Sequence, residues 1–360
     1  VTGGTGFIAL YVVKLLLEHG HHVNTTVRSL TNKAKCKPLV DLQAQFPGRL
    51  SLFEADLSKP GSFLGAMNGC QVVYHIASPF LLPAQIKDGF KDCVEPALEG
   101  TKNVLGSVNQ TESVTRVVLT SSSKSFQSSK CVVFRTSINS TLVSGIYGDS
   151  RDVLSMKNQT LTESYWNESS SVTHYPYAYS KVIAEREAWK LHDAQSRWSM
   201  VVINPGLVIG PPLTSESVSG SLYMLEALYS GKNSIGSADL SYPIADVREV
   251  AEAHVKVGEN TAAKGRFIIS GDHTVSVLEM ANLVRPIHPN PRALPRRNMP
   301  KFMIYLAGPF IGISKKWADG NIGIGFKVDN TRSINELGMS YRSAEEVLQT
   351  HFRSWLQGES

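Results

Sequence analysis

Val1-Thr2-Gly3-Gly4-Thr5-Gly6-Phe7-Ile8-Ala9 opens the chain and decides its fold. Gly3, Gly6 and Ala9 make a Gly-x-x-Gly-x-x-small pattern, and the apolar run over residues 10–17 that follows stops at His19-Gly20. A glycine at 3 permits a tight turn, and a glycine at 6 lets backbone approach a pyrophosphate. A small residue at 9 lets the helix pack closely on its strand, and the helix N-terminus carries partial positive charge suited to phosphate. Followed by strand–helix–strand alternation, this pattern reads as a dinucleotide site. The first strand of such a unit precedes its glycine loop. Almost none of it stands ahead of Gly3, so the chain reads as N-terminally truncated, with its central strand missing.

Working outward, residues 22–27 read as the second strand, 50–55 as the third, 71–77 as the fourth, 116–120 as the fifth and 200–204 as the sixth, with a helix over 95–108. These short, nearly continuous apolar runs are those of a parallel sheet covered on both faces. The second strand ends Thr25-Thr26-Val27-Arg28 without a carboxylate to hold an adenosine ribose. Arg28, with Lys33 or Lys35 beyond it, suits a 2′-phosphate instead, because a guanidinium grips phosphate in a fork; NADP is therefore expected over NAD. The fourth strand ends at Ala77-Ser78-Pro79, in the crevice where such sheets bind ligands. His75, inside that apolar strand, reads as a satisfied core histidine. The fifth strand delivers Ser121-Ser122-Ser123 to the same edge, where a hydroxyl can hydrogen-bond a carbonyl oxygen.

Tyr177-Ala178-Tyr179-Ser180-Lys181 supplies the chemistry. Residues four apart share a helix face. A phenol is a poor acid at neutral pH, and an ammonium one turn away favours its anion. Such a pair can give a proton to a carbonyl oxygen or take one from an alcohol. Strand–helix alternation persists to about residue 205 and then gives way to Gly-, Pro- and Ser-rich segments with scattered helices. The expected organisation is a doubly wound parallel (Rossmann) α/β domain over 1–205, then a smaller, less regular substrate lobe over 206–360, with part of 240–260 returning to the first domain.

With 360 residues, 42% hydrophobic and 19% charged, the chain can bury a substantial core. A net charge of +5 is spread along it, which argues against a nucleic-acid partner. The longest apolar run, 302–313, is too short to span a bilayer and contains Gly308-Pro309. Cys36, Cys70, Cys93 and Cys131 show no metal-ligand spacing, so no metal is expected. They suit a reducing compartment, and a cytoplasmic setting is expected.

In their order, several further stretches resemble the extended short-chain dehydrogenase/reductase superfamily nearly end to end. They are Ala55-Asp56-Leu57, Tyr74 through Pro79, Pro96 through Thr101, Asn204-Pro205-Gly206, Asp246-Val247-Arg248 with Ala253-His254, and Gly265-Arg266-Phe267. The branch is similar to dihydroflavonol and cinnamoyl-CoA reductases. The resemblance implies an NADPH-dependent oxidoreductase that reduces an aldehyde or ketone, a small-molecule carbonyl substrate, and a monomer or homodimer. It implies Ser122, Tyr177 and Lys181 as the catalytic group, with Gly3, Gly6, Phe7 and Ile8 as the phosphate loop. It further implies Arg28 and Lys35 at the 2′-phosphate, Asp56 and Leu57 at adenine, Ala77 and Ser78 along the cofactor channel, and Pro205 and Val208 beside the nicotinamide. Asp246 and His254 look structural, in the second lobe. Two other readings compete: a sugar-nucleotide epimerase or dehydratase of the same superfamily, and a non-catalytic NADP-sensing protein. The relay asparagine of many epimerases falls at Ala97 here, which counts against the first; retention of Tyr177 counts against the second. The Asn-Trp-Tyr signature of cinnamoyl-CoA reductases is replaced by His174-Tyr175-Pro176. Residues 123–142 interrupt the pattern and read as either a surface loop or lid, or an in-frame translated intron.

Overall fold

A computed structural model describes residues 1–79, 87–121, 147–217, 219–311 and 313–359. Ser122 and the interrupting stretch 123–142 lie outside the described residues. The strands are β1 (Val23–Val27), β2 (Leu50–Glu54), β3 (Val72–His75), β4 (Arg116–Thr120), β5 (Thr160–Leu161), β6 (Ser199–Pro205), β7 (Leu207–Ile209), β8 (Ser241–Asp246), β9 (Gly265–Ile269), β10 (Thr274–Ser276) and β11 (Lys327–Val328). The helices that position the site are α1 (Phe7–Glu18), α2 (Lys33–Gln45), α3 (Leu64–Met67), α4 (Glu95–Gln110), α5 (Ser150–Leu154), α6 (Pro176–Asp193), α7 (Gly220–Tyr229) and α8 (Val247–Glu259).

The main sheet is parallel, in the order β3-β4-β6-β9, and β1 pairs with β2 beside it, also in parallel. Val1 and Thr2 join the two pieces. Thr26 donates its N–H to the Val1 carbonyl (3.0 Å), and Thr2 donates to the Tyr74 carbonyl (2.9 Å). Every residue of β4 is buried, as a strand covered on both faces must be. One core lies between the sheet and the α1/α8 layer; it includes Val12, Val13, Val118, Val201, Val250 and Phe267.

The chain beyond residue 205 returns to this sheet further than its sequence indicated. β9 pairs in parallel with β6, Val201 opposite Gly265 through Pro205 opposite Ile269. His254 lies on α8, within the 240–260 stretch expected to return to the first domain, its Nε2 2.7 Å from Thr120 Oγ1. Conversely, Tyr147, Val153 and Leu161 belong to the core of the second lobe, with Leu225, Ile244 and Phe352. The second lobe holds the small sheet β10-β8-β7 and the β11–β5 pair.

A buried ion pair ties these parts together. Glu185 on α6 meets Arg266 on β9 (Nε–Oε1 2.7 Å), with side chains 1% and 7% exposed. Asn204 on β6 donates to the other carboxylate oxygen (3.3 Å), and Arg266 also donates to the carbonyls of Glu163 and Tyr165. Removing one partner of such a pair strands a buried charge at a cost of about 3–5 kcal/mol. Arg266→Met should therefore lower unfolding stability by about that amount in urea titration. A joint Glu185→Leu/Arg266→Met variant should recover much of the loss; a double variant no more stable than the single one would contradict this account of the pair.

Candidate active site

The C-terminal strand ends and α1 enclose a cleft of about 700 Å³. Its floor is the glycine loop. Gly3 has φ +70°, a conformation that suits glycine, and the Gly6 N–H donates to the Gly3 carbonyl (2.8 Å) to close the turn. A Cβ on Gly4 would stand 2.2 Å from Thr25 Oγ1, so a side chain there would push the loop off β1. Gly6 is the N-cap of α1 and uses no side chain, leaving the first helical N–H groups for an anion in the cleft.

The Thr2 hydroxyl fixes this loop to the end of β3. Its oxygen accepts from the N–H groups of Ile76 (3.0 Å) and Ala77 (2.9 Å). Its proton is left for His75 Nδ1 at 3.1 Å, which must then be an acceptor, so neutral His75 carries its proton on Nε2. Burial, and then the nearby Lys181 charge, push the His75 pKa down to about 3.

Gly3, Gly6, Phe7, Ile8, Arg28, Lys35, Asp56, Leu57, Ala77, Ser78, Tyr177 and Val208 all line the one cleft. Strand order arranges them along it: Asp56 and Leu57 after β2, Arg28 after β1, the loop, Ala77 and Ser78 after β3, and then Tyr177 and Val208. Arg28 and Lys35 are exposed. Lys35 sits in the first turn of α2, which Asn32 caps by accepting from the Lys35 N–H (3.2 Å). The Asp56 carboxyl is held below its usual range by the hydroxyl and N–H of Ser58. Glu54, at the neighbouring strand end, spends its carboxylate on the Leu30 N–H (2.6 Å).

Tyr177 and Lys181 ride on α6, which starts with Pro176 at its first turn and Tyr175 in the left-handed region at φ 68°. Both side chains are buried, and Lys181 Nζ is 4.9 Å from the Tyr177 ring centroid. The ammonium donates to Ser78 Oγ, so it reaches the cleft through that hydroxyl. Lys181 itself lines a small inner void with His75, Ser121 and Glu185. Pro205 ends β6, buried and in register with Ile269 of β9. Ser122 lies outside the described residues; Ser121 before it donates its N–H to the Ile203 carbonyl (2.9 Å).

Further residues complete the site. Thr2 was visible inside the glycine stretch, but its two acceptor bonds come from residues more than seventy positions away. Glu216, Ser219, Gly220 and Ser221 form a wall opposite the loop, and Ser219 caps α7 through the Leu222 N–H (3.3 Å). Upstream of Tyr177, His174 Nε2 meets Asp149 Oδ2 at 2.8 Å. His254 donates from Nδ1 to the Val250 carbonyl (2.7 Å), which leaves Nε2 to accept from Thr120 and so fixes the strand end just before Ser121.

Burial pushes His254 down to about 4 from a model-peptide value of 6.5. Below pH 6.5 the unfolded chain therefore takes up a proton that the folded chain refuses. This contribution is complete above pH 6.5 and is lost as pH falls toward 4. His254→Gln should reduce proton uptake on unfolding at pH 5 by about one proton, read from the pH dependence of the urea midpoint. An unchanged pH slope in that variant would show that His254 is not held neutral.

Comparison with known proteins converges on one family. The NAD dependent epimerase/dehydratase family matches residues 1–270. The chain is 34% identical over 295 residues to an anthocyanidin reductase ((2S)-flavan-3-ol-forming) of Vitis vinifera, covering 80% of each. It is 33% identical over 349 residues to tetraketide alpha-pyrone reductase 1 of Arabidopsis thaliana, covering 96% of this chain and 91% of that one. Among solved structures, Gre2 of Candida albicans in complex with NADPH is similar with a TM-score of 0.75 at 25% identity, covering 100% of this chain and 98% of that one.

Proposed function

The chain belongs to the NAD dependent epimerase/dehydratase family and is an NADP-dependent reductase, and on that premise we propose which of its groups carry out carbonyl reduction. Tyr177 is the proton donor. The observation that carries this reading is its place on the wall of the cleft floored by the glycine loop, with the Lys181 ammonium 4.9 Å from its ring. Bound NADPH supplies a hydride to the carbonyl carbon. Tyr177 gives its phenolic proton to the carbonyl oxygen. Ser78 holds the Lys181 ammonium in position. Ser122, the second hydroxyl for the carbonyl oxygen, is assigned from the sequence pattern alone.

The cleft fits the cofactor by its own chemistry. Backbone N–H groups at the start of α1 receive the pyrophosphate, Arg28 and Lys35 the 2′-phosphate, and Asp56 with Leu57 the adenine side. The small-molecule carbonyl substrate enters beside Pro79 and the wall of Glu216, Ser219 and Ser221. Among the described residues no helix is long and apolar enough to cross a membrane. Cys36, Cys70 and Cys93 are free thiols, which supports a reducing compartment such as the cytoplasm.

Tyr177→Phe should cut turnover of an aldehyde substrate by roughly 10²–10⁴-fold while NADPH affinity changes little. Near-normal turnover would remove Tyr177 from the reaction. Arg28→Ala should weaken NADPH binding far more than NADH binding, since NADPH alone carries the 2′-phosphate; equal losses for both coenzymes would assign the discrimination to another residue.

A further inference from the structure

We propose that His19, His21 and Glu259 form a binding site for one divalent first-row transition-metal cation of the zinc class, remote from the cleft. Neither the family nor the reductase chemistry calls for this site, and no metal was expected from the cysteine spacing. Three ligand atoms, His19 Nδ1, His21 Nε2 and one Glu259 carboxylate oxygen, lie within 4.8 Å of one another. Both imidazoles approach the same Glu259 Oε1, at 3.0 and 2.8 Å. A tetrahedral zinc ion with ligands at about 2.0–2.1 Å needs neighbouring ligand atoms roughly 3.3 Å apart. Small side-chain rotations open the cluster to that spacing and bring the nitrogen lone pairs inward, with the fourth position left to water.

The backbone that carries these groups is fixed before any ion arrives. His19 is the C-cap of α1, and Gly20 follows at φ +87°. The Gly20 N–H donates to the Leu17 carbonyl and the His21 N–H to the Leu16 carbonyl, both at 3.0 Å. Those two bonds make a Schellman turn, which sets the two histidines on either side of the glycine. Glu259 is the last residue of α8, and α8 packs on α1 through a shared core. Two helix C-termini thus meet at the cluster, and the partial negative charge at each favours a cation. Imidazole nitrogen with one carboxylate oxygen suits zinc, nickel or copper over calcium or magnesium. All three side chains are exposed, so an ion has a direct path in. The twelve residues of α1 separate the site from the glycine loop by about 18 Å. Its effect is therefore to staple α1 to α8, not to join the reaction.

The test is calorimetric titration of the full chain, first stripped with chelator, using zinc chloride and separately nickel chloride, with thermal unfolding measured alongside. One saturating equivalent of either metal and a raised Tm are expected, since an ion that binds only the folded chain stabilises it. Both effects should vanish in His19→Ala/His21→Ala. Loss of an outer-shell partner alone weakens metal sites by about 10–100-fold, so Glu259→Gln should weaken binding by about tenfold or more while keeping the shape of the side chain. His22→Ala should bind like the parent. No saturable binding of either ion would overturn the site. So would zinc binding that survives both variants, which would place the metal on the thiols, or binding lost in His22→Ala and kept in Glu259→Gln.

Discussion

One hydroxyl holds the floor of the cleft together. Thr2 Oγ1 accepts the N–H groups of Ile76 and Ala77, two donors at a strand end that would otherwise face a crowded turn without partners. Both donors are partly buried at the cleft floor, and one side chain satisfies them together. Satisfying both with one side chain pulls the glycine loop against β3 and sets where Ala77 and Ser78 stand. The same hydroxyl directs its proton to His75, whose burial keeps it neutral, so no second cation competes with Lys181 beneath the cleft. A single small residue thus contributes both to the position of the glycine loop and to the neutrality of His75.

Helix α6 is held by a different device. Lys181 and Glu185 are one turn apart on α6, both buried, and of opposite charge. Glu185 is committed downward to Arg266 and Asn204, and Lys181 is committed upward to Ser78. Each partner sits on a different strand or strand end, so rotating α6 about its axis would break contacts at β3, β6 and β9 together. That division of labour keeps Tyr177 on the cleft wall even though its own turn begins with a left-handed residue.

The parts of the fold that were legible in the sequence are those in which local pattern and tertiary role coincide. β4 reads as a strand because five consecutive buried positions leave nothing else for it to be. The glycine loop reads as a phosphate site because its residue types answer a backbone requirement. β9 was not legible: Gly265-Arg266-Phe267-Ile268-Ile269 places a charge at the second position of a short run, and the reason the charge is tolerated lies eighty-one residues away on α6. The role of His254 was likewise not legible, since its partner Thr120 is 134 positions distant and only the packing of α8 on the sheet brings them together. Along the cleft, residues far apart in the chain, Gly3, Arg28, Asp56, Ser78, Tyr177 and Val208, are brought to one surface by the strand order.

The cations around the cleft work under different screening. Arg28 and Lys35 are exposed at one end, where solvent ions reach them and the Debye length at physiological salt is about 8 Å. Their attraction for a phosphate is therefore short-ranged, and its selectivity must come from fork geometry and contact instead of from long-range field. Lys181 is 6% exposed, hydrogen-bonded to Ser78 and set beside residues of β3 and α4. Arg28 and Lys35 thus lie at a solvent-facing edge of the cleft, whereas Lys181 lies in its buried interior.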